Sequence, residues 1–220
     1  MAPRDFLAAA VNLYQNLGAT RIELSAAGGV DVARRITSGE PADIVVLARD
    51  AIDKLTRDGF LSAEGSVDVM KSGIAVAIRA GAARPSIADA ASVRRALLNA
   101  STIGFSTGPS GKYLEALFTT WQLHEKLRPR FVTPPPGIPV AQLIASGQVE
   151  LGFQQLSELL AAPGIEVLGP LPEEIQHLTT FTAGIPLTCS DRIAAQEFLR
   201  FLSAREARQL MHRHGMTATG

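Results

Sequence analysis

Short apolar runs alternate with amphipathic stretches along almost the whole chain. Residues 4–17 carry apolar side chains at helical spacing, which predicts an amphipathic helix. Residues 43–48 form a nearly continuous apolar run, which is typical of a strand in a parallel sheet that is covered on both faces. Strands that alternate with helices in this way predict a parallel α/β architecture.

The same pattern predicts the other elements of the chain. Strands are predicted at residues 22–24, 102–106, 130–133, 150–154 and 177–188, and a longer apolar stretch lies at 67–79. Helices are predicted at 86–100, 110–125 and 138–147, and two more after residue 188. A short helix is predicted to end at Gly39, and another is predicted to be capped by Asp50 and to bury Ile52 and Leu55. The Pro-rich and acidic stretch 169–174 interrupts the alternation.

Glycine-rich junctions between strands and helices are the candidate functional feature. The strand at 102–105 is followed by a turn, residues 106–111, and then by a helix whose first amides have no partner within it. Those amides and the positive end of the helix dipole attract an anion. Similar junctions are predicted at Gly28–Gly29 and at 134–137, so the sequence predicts a receptor for a small anionic ligand.

The turn at 106–111 also imitates a phosphate-binding P-loop. Gly111 and Lys112 match the end of that motif, but Ser106 stands where its first glycine belongs. Tyr113 replaces the hydroxyl residue that would bind magnesium. The sequence therefore argues against nucleotide hydrolysis.

Composition and charge narrow the function further. Lysine plus arginine and aspartate plus glutamate number 21 each, so no overall positive field favours nucleic acid. Cys189 is the single cysteine, and the sequence contains no metal-binding motif or cofactor-binding motif, so neither a metal nor a cofactor is expected. No apolar run approaches the length of a membrane span, and the first residues lack the features of a secretory signal, which predicts a soluble, cytoplasmic protein as the chain is written.

Four segments together resemble the molybdate-binding type of periplasmic solute-binding protein. They are residues 33–46, 108–113, 148–153 and 213–216, which span most of the chain. The resemblance implies a type II periplasmic-binding-protein fold with two lobes and mainly parallel sheets. It implies one lobe of residues 1–77 plus 172–220 and a second of 78–171, with hinge crossings near 77–80 and 169–173. It also implies a ligand cleft between the lobes, an ABC-transporter permease as partner, and a periplasmic location if the N-terminus is incomplete.

The resemblance also indicates which residues contact the ligand. In this family, hydroxyl side chains and helix-start amides from both lobes hold the anion. Carried over by position, and extended to their neighbours, the expected ligand contacts are Gly28, Gly29, Thr107, Ser110, Gly111, Gly137, Gln154 and Gln155. The chain departs from the family in lacking a hydroxyl at Gly29–Val30 and in having Gln155 where the family has tyrosine, which favours an organic acid over molybdate.

An enzymatic function is the alternative. Some proteins that resemble this fold isomerise aconitate, a reaction that moves a proton across an allylic system and needs a base beside anion-binding amides. Glu158 and His177 are the candidate bases, although a solvated helix face explains Glu158 as well and a structural role is favoured for His177. Because no clear acid/base pair is present, the sequence favours reversible binding.

Overall fold

A computed structural model describes residues 2–135 and 137–219 of the chain. The chain divides into two compact units. Unit 1 comprises the residues up to Ser72 together with those from Thr179 onward, and unit 2 comprises Gly73–Leu178. The chain therefore passes from unit 1 to unit 2 and back again, and the lobe bounds implied by the resemblance stay a prediction.

Helices and strands alternate over much of the chain, as the sequence predicts. In chain order the helices are α1 (Arg4–Asn16), α2 (Gly29–Thr37), α3 (Arg49–Arg57), α4 (Ala90–Asn99), α5 (Pro109–Thr120), α6 (His124–Leu127), α7 (Val140–Ala145), α8 (Leu156–Leu159), α9 (Arg192–Leu202) and α10 (Arg205–Arg213). The strands are β1 (Val45–Ala48), β2 (Val67–Arg79), β3 (Ile103–Phe105), β4 (Phe131–Val132), β5 (Leu151–Gln155), β6 (Ile165–Pro170), β7 (Leu178–Gly184) and β8 (Thr217–Ala218).

In unit 1, a small sheet packs against α1, α9 and α10. β1 pairs antiparallel with β7, and the first part of β2 pairs antiparallel with β8. The parallel pairing expected for residues 43–48 is therefore wrong, because β7, the strand beside β1, runs in the opposite direction. The core of this unit is partly aromatic, with the rings of Tyr14 and Phe198 5.2 Å apart in an edge arrangement.

Two local predictions in unit 1 are also wrong. Residues 22–24 are not a strand, and within the described residues no strand pairs with them. Asp50 does not cap the helix that follows β1, because Ala48 occupies the cap position and Asp50 lies in the first turn. There its charge still complements the helix dipole. Ile52 and Leu55 are buried, as predicted.

In unit 2, β3 pairs in parallel with β4 on one side and with β5 on the other. β2 continues the sheet by pairing antiparallel with β5 and β6. Helix α7 packs closely on this sheet, because a Cβ atom at Gly152 would fall 2.2 Å from Ile144 Cδ1. The helix predicted at 110–125 ends at Thr120, and Gln122 follows with a φ of 56° before α6 begins.

Across the part of the chain that the structure describes, no helix combines the length and the apolar character that a membrane crossing requires.

Candidate anion-binding site

The carboxyl ends of three parallel strands meet at one edge of the unit 2 sheet. In this register Phe105 of β3 lies opposite Phe153 of β5, and Gly104 lies opposite Val132 of β4. The chain therefore leaves the sheet at neighbouring points, through the turn at 106–108, the loop at 133–139 and the start of α8. Loops at this edge of a parallel sheet are where α/β proteins bind ligands.

Helix α5 supplies the donors at this edge. Gly108 precedes the helix in an extended conformation, and among the described residues no side chain caps the helix. Lys112 is the first residue whose N–H finds a helical acceptor, the carbonyl of Gly108 at 3.1 Å. Pro109 has no N–H, so helix geometry leaves the N–H groups of Ser110 and Gly111 for another acceptor. Two adjacent amides at a helix start provide an anion-binding arrangement.

Two serine hydroxyls lie beside these amides. Ser110 is only 2% exposed, and its Oγ lies 3.2 Å from Ser106 Oγ. The Gly108 N–H also donates to Ser106 Oγ, at 3.4 Å. A pair of hydroxyls can rotate to donate one proton outward while keeping their mutual hydrogen bond. The site can therefore present hydroxyl and amide donors together.

Gly111 allows α5 to begin so close to the strand exit. A Cβ atom at this position would lie 1.5 Å from the carbonyl oxygen of Ser106, a distance that no side chain can occupy. The predicted importance of Gly111 thus has a steric cause in addition to its free amide. Thr107 lies in the same turn and is exposed.

Gln154 and Gln155 are both buried, but they lie on opposite faces of the sheet. Gln155 is opposite Ile74, which belongs to the same core cluster as Leu114 of α5. Gln154 is opposite Ala75, which belongs to the core cluster that includes the buried residues of α7. Gln154 Oε1 accepts a hydrogen bond from the Ala141 N–H at 3.4 Å. The structure therefore places Gln155 on the α5 face and uses Gln154 to satisfy the start of α7.

Gly137 lies in the third loop of this edge. It is exposed, and its φ of +81° is a conformation that favours glycine. The preceding Pro136 lies outside the described residues. Glu158, one candidate base, is half-buried in the short helix α8 that follows Gln155.

His177, the other candidate base, stacks on Tyr113 of α5. The two rings are nearly parallel, at 15°, with centroids 4.6 Å apart. The Tyr113 hydroxyl donates to the Ile175 carbonyl at 2.9 Å, and the His177 N–H donates to Gln176 Oε1 at 2.9 Å. Burial lowers the pKa of the His177 imidazole and raises the pKa of the Tyr113 hydroxyl.

Sequence reasoning did not include Ser106 or Tyr113 among the site residues. Tyr113 lies three residues after Ser110, a spacing that places both side chains on one face of a helix. That spacing was a usable signal for Tyr113. The contact of Tyr113 with His177 had no local signal.

Gly28 and Gly29 belong to unit 1. They lie at the start of α2, as the sequence predicts, with Gly28 extended and no side chain capping the helix. A Cβ atom at Gly29 would make an ordinary contact of 3.7 Å with Leu47 Cδ2. Their role in binding stays a prediction. Among the described residues, no three His, Cys, Asp or Glu side chains form a group that could hold a metal ion.

Known proteins resemble the chain over most of its length. A family model described as a bacterial extracellular solute-binding protein matches residues 1–217. An aconitate isomerase from Pseudomonas sp. is 31% identical over 211 residues, which cover 92% of this chain and 79% of that protein. A candidate ABC transporter substrate-binding lipoprotein of Bacillus subtilis (strain 168), YvgL, is 21% identical over 188 residues, covering 84% of this chain and 71% of that protein.

A solved structure is also similar. The periplasmic molybdate-binding protein of Azotobacter vinelandii superposes with a TM-score of 0.82 at 18% identity. The match covers 98% of this chain and 95% of that one.

Proposed function

Because the chain belongs to the family of bacterial extracellular solute-binding proteins, we propose that it reversibly binds a small organic carboxylate or oxyanion as the substrate-binding component of an ABC transporter. The type II fold and the resemblance to molybdate-binding proteins expected from the sequence are confirmed by the structural match. The family description names extracellular proteins, which favours a location outside the cytoplasm. The similarity to an ABC transporter substrate-binding lipoprotein favours a transporter permease as the partner.

This proposal depends on the hydrogen-bond donors at the start of α5. Two amides, Ser110 and Gly111, and the hydroxyl pair of Ser106 and Ser110 lie together at the carboxyl edge of three parallel strands. A carboxylate or oxyanion accepts hydrogen bonds from both kinds of donor, and the helix dipole adds to the attraction. Gln155 on the same face has an amide that can both donate and accept, which suits a carboxylic ligand.

The number of donors is sufficient for useful affinity. A hydrogen bond to a charged group contributes about 1.5–3 kcal/mol. Roughly four such bonds amount to about 6–12 kcal/mol before the cost of association is subtracted, and micromolar binding corresponds to about −8 kcal/mol. Reversible binding at that strength suits a protein that must release its ligand.

A second function is supported by the identity of 31% to an aconitate isomerase over 92% of this chain. In that case the site would bind an unsaturated tricarboxylate and move a proton across its allylic system. His177 and Glu158 remain the candidate bases for that step. Both functions share the same anion-binding edge and differ only in whether a proton is transferred.

A thermal-shift screen tests the binding proposal. Di- and tricarboxylates, molybdate and sulfate are added to the protein, and the neutral trimethyl ester of one tricarboxylate serves as the uncharged control. We expect a carboxylate to raise the melting temperature, because a ligand at 100 times its Kd stabilises the folded state by about 2.7 kcal/mol. Calorimetry then measures the affinity, and a protein that no anion stabilises would contradict the proposal.

A further inference from the structure

The half-buried imidazole of His177 is held at both its ring and its backbone. Tyr113 covers one face of the ring at a centroid distance of 4.6 Å, and Gln176 Oε1 accepts the backbone N–H at 2.9 Å. Tyr113 is itself fixed, because its hydroxyl donates to the Ile175 carbonyl at 2.9 Å.

Two sets of contacts connect the ring to the elements that carry the anion-binding donors. Tyr113 follows Ser110 by three residues on α5, and side chains at this spacing are about 5–6 Å apart at their Cβ atoms. On the sheet, Gln155 lies opposite Ile74, and the Gln176 side chain binds the backbone of Ile74. His177 therefore contacts Tyr113 of α5, and its sequence neighbour Gln176 binds β2 at the residue that pairs with Gln155.

The charge state of the ring suits proton transfer. Burial lowers the pKa of His177, so the imidazole is neutral at neutral pH and one nitrogen can accept a proton. The ring lies against Tyr113, whose hydroxyl donates to the Ile175 carbonyl. A neutral base does not repel a trianionic substrate, whereas the carboxylate of Glu158 would.

We propose that His177 is the side chain that transfers the proton of a bound unsaturated tricarboxylate, an inference that rests on the proposed anion site. An imidazole nitrogen takes a proton from the methylene carbon of the substrate, and the C–H electron pair enters the allylic system. The resulting anion is stabilised by the adjacent carboxylates and by the donors of α5. The imidazolium then returns the proton to the far carbon of that system, so the double bond moves and no other reactant is consumed.

Deuterium exchange in heavy water tests this role on the full chain. trans-Aconitate is the probe, proton spectra report both exchange and cis–trans interconversion, and calorimetry measures binding on the same preparations. His177→Phe is the main variant, because phenylalanine can keep the stack on Tyr113 but cannot carry a proton. His177→Gln gives a second variant in case the first does not fold, and Tyr113→Phe keeps the stack while removing the hydrogen bond to Ile175.

We expect the unaltered protein to exchange and both His177 variants to lose on the order of 10²–10⁴-fold of the rate. Binding by these variants should stay within about threefold of the original affinity, because the donors of α5 are unchanged. Tyr113→Phe should lose part of the exchange, because the ring that covers His177 is then no longer fixed by its hydrogen bond to Ile175. Binding without exchange in the unaltered protein, or exchange at full rate in His177→Phe, would overturn the role of His177 alone. A failure of the unaltered protein to bind any carboxylate would instead refute the proposed function, and this inference with it.

Discussion

Gln176 and Ile74 are joined by two hydrogen bonds between a side chain and a buried backbone. The Ile74 N–H donates to Gln176 Oε1 at 2.9 Å, and Gln176 Nε2 donates to the Ile74 carbonyl at 3.0 Å. The same amide reaches the Leu171 carbonyl at 3.3 Å. Gly73 makes room for it, because a Cβ atom there would fall 3.2 Å from Gln176 Cδ. The side chain thus replaces a neighbouring strand for part of β2 and ties residues 171–177 to it.

Replacing Gln176 with leucine should destabilise the protein. Gln176→Leu leaves the Ile74 N–H without its acceptor at a position that is fully buried. An unsatisfied buried polar group costs about 1–3 kcal/mol, so we expect the free energy of unfolding to fall by about 2 kcal/mol in urea titrations. Gln148→Leu is the control, because Gln148 is exposed and its side-chain amide donates to Ser146 Oγ, which is exposed as well. Equal midpoints for the two variants would show that the amide of Gln176 contributes little.

Gly111→Ala should damage both stability and binding. The added Cβ would overlap the Ser106 carbonyl oxygen, so the start of α5 must move away from the strand exit. We expect a loss of about 3 kcal/mol, the upper part of the range for overpacking, together with weaker anion binding. Gly29→Ala is a matched control at another helix start, where the new atom meets only Leu47 at an ordinary distance. If both glycine variants unfold at the same urea concentration, the close approach at Gly111 is not a constraint.

Two substitutions at Ser110 separate its amide from its hydroxyl. Ser110→Pro removes the N–H from the first turn of α5, and Ser110→Ala removes only the hydroxyl that pairs with Ser106. Loss of one charge-assisted hydrogen bond costs about 1.5–3 kcal/mol, so the proline variant should bind the carboxylate identified by thermal shift about 10–100-fold more weakly. The alanine variant should lose less.

Calorimetry with that carboxylate measures both affinities, and circular dichroism confirms that each variant is folded. Ser146→Ala, which changes an exposed serine after α7, serves as the control and should bind normally. Unchanged affinity in Ser110→Pro would place the anion elsewhere.

The elements that the sequence predicted well are those whose signals are local. Helical spacing predicted α1, and the turn at 106–111 predicted the start of α5 and its free amides. Partners were predicted poorly, because a strand does not specify its neighbour. The apolar run of β1 wrongly suggested a parallel sheet. Its neighbour β7 lies more than a hundred residues later in the chain and runs antiparallel to it. Residues 22–24 have strand-like composition but lack a paired neighbour among the described residues.

The residues of the candidate site also differ in whether a local sequence signal predicts them. Ser110 and Gly111 could be found from sequence because a strand, a turn and a helix follow one another directly. Alternation along β5 was also readable, and it implies that Gln154 and Gln155 face opposite sides of the sheet. The stack of Tyr113 on His177 joins α5 to the segment before β7. The hydrogen bonds between Gln176 and Ile74 also join residues that are far apart in the chain. Neither contact leaves a local pattern.

The titration of His177 provides the last prediction. Because burial lowers the pKa of its imidazole, its titration midpoint in proton spectra should lie below the ordinary 6.5. Tyr113→Ala uncovers one face of the ring and should move the midpoint back toward 6.5. Comparison with the spectrum of His177→Phe assigns the resonance among the four histidines.

The same shift fixes the sign of a pH effect on stability. The unfolded chain binds this proton more tightly than the folded chain, so the contribution of His177 is complete above pH 6.5 and is lost as the pH falls through the folded-state pKa. Urea titrations at neutral and mildly acidic pH should therefore show a smaller loss of stability on acidification in His177→Phe than in the unaltered protein. A midpoint at or above 6.5, or an identical acid response in both proteins, would mean that the stacked ring is accessible enough to be protonated in place.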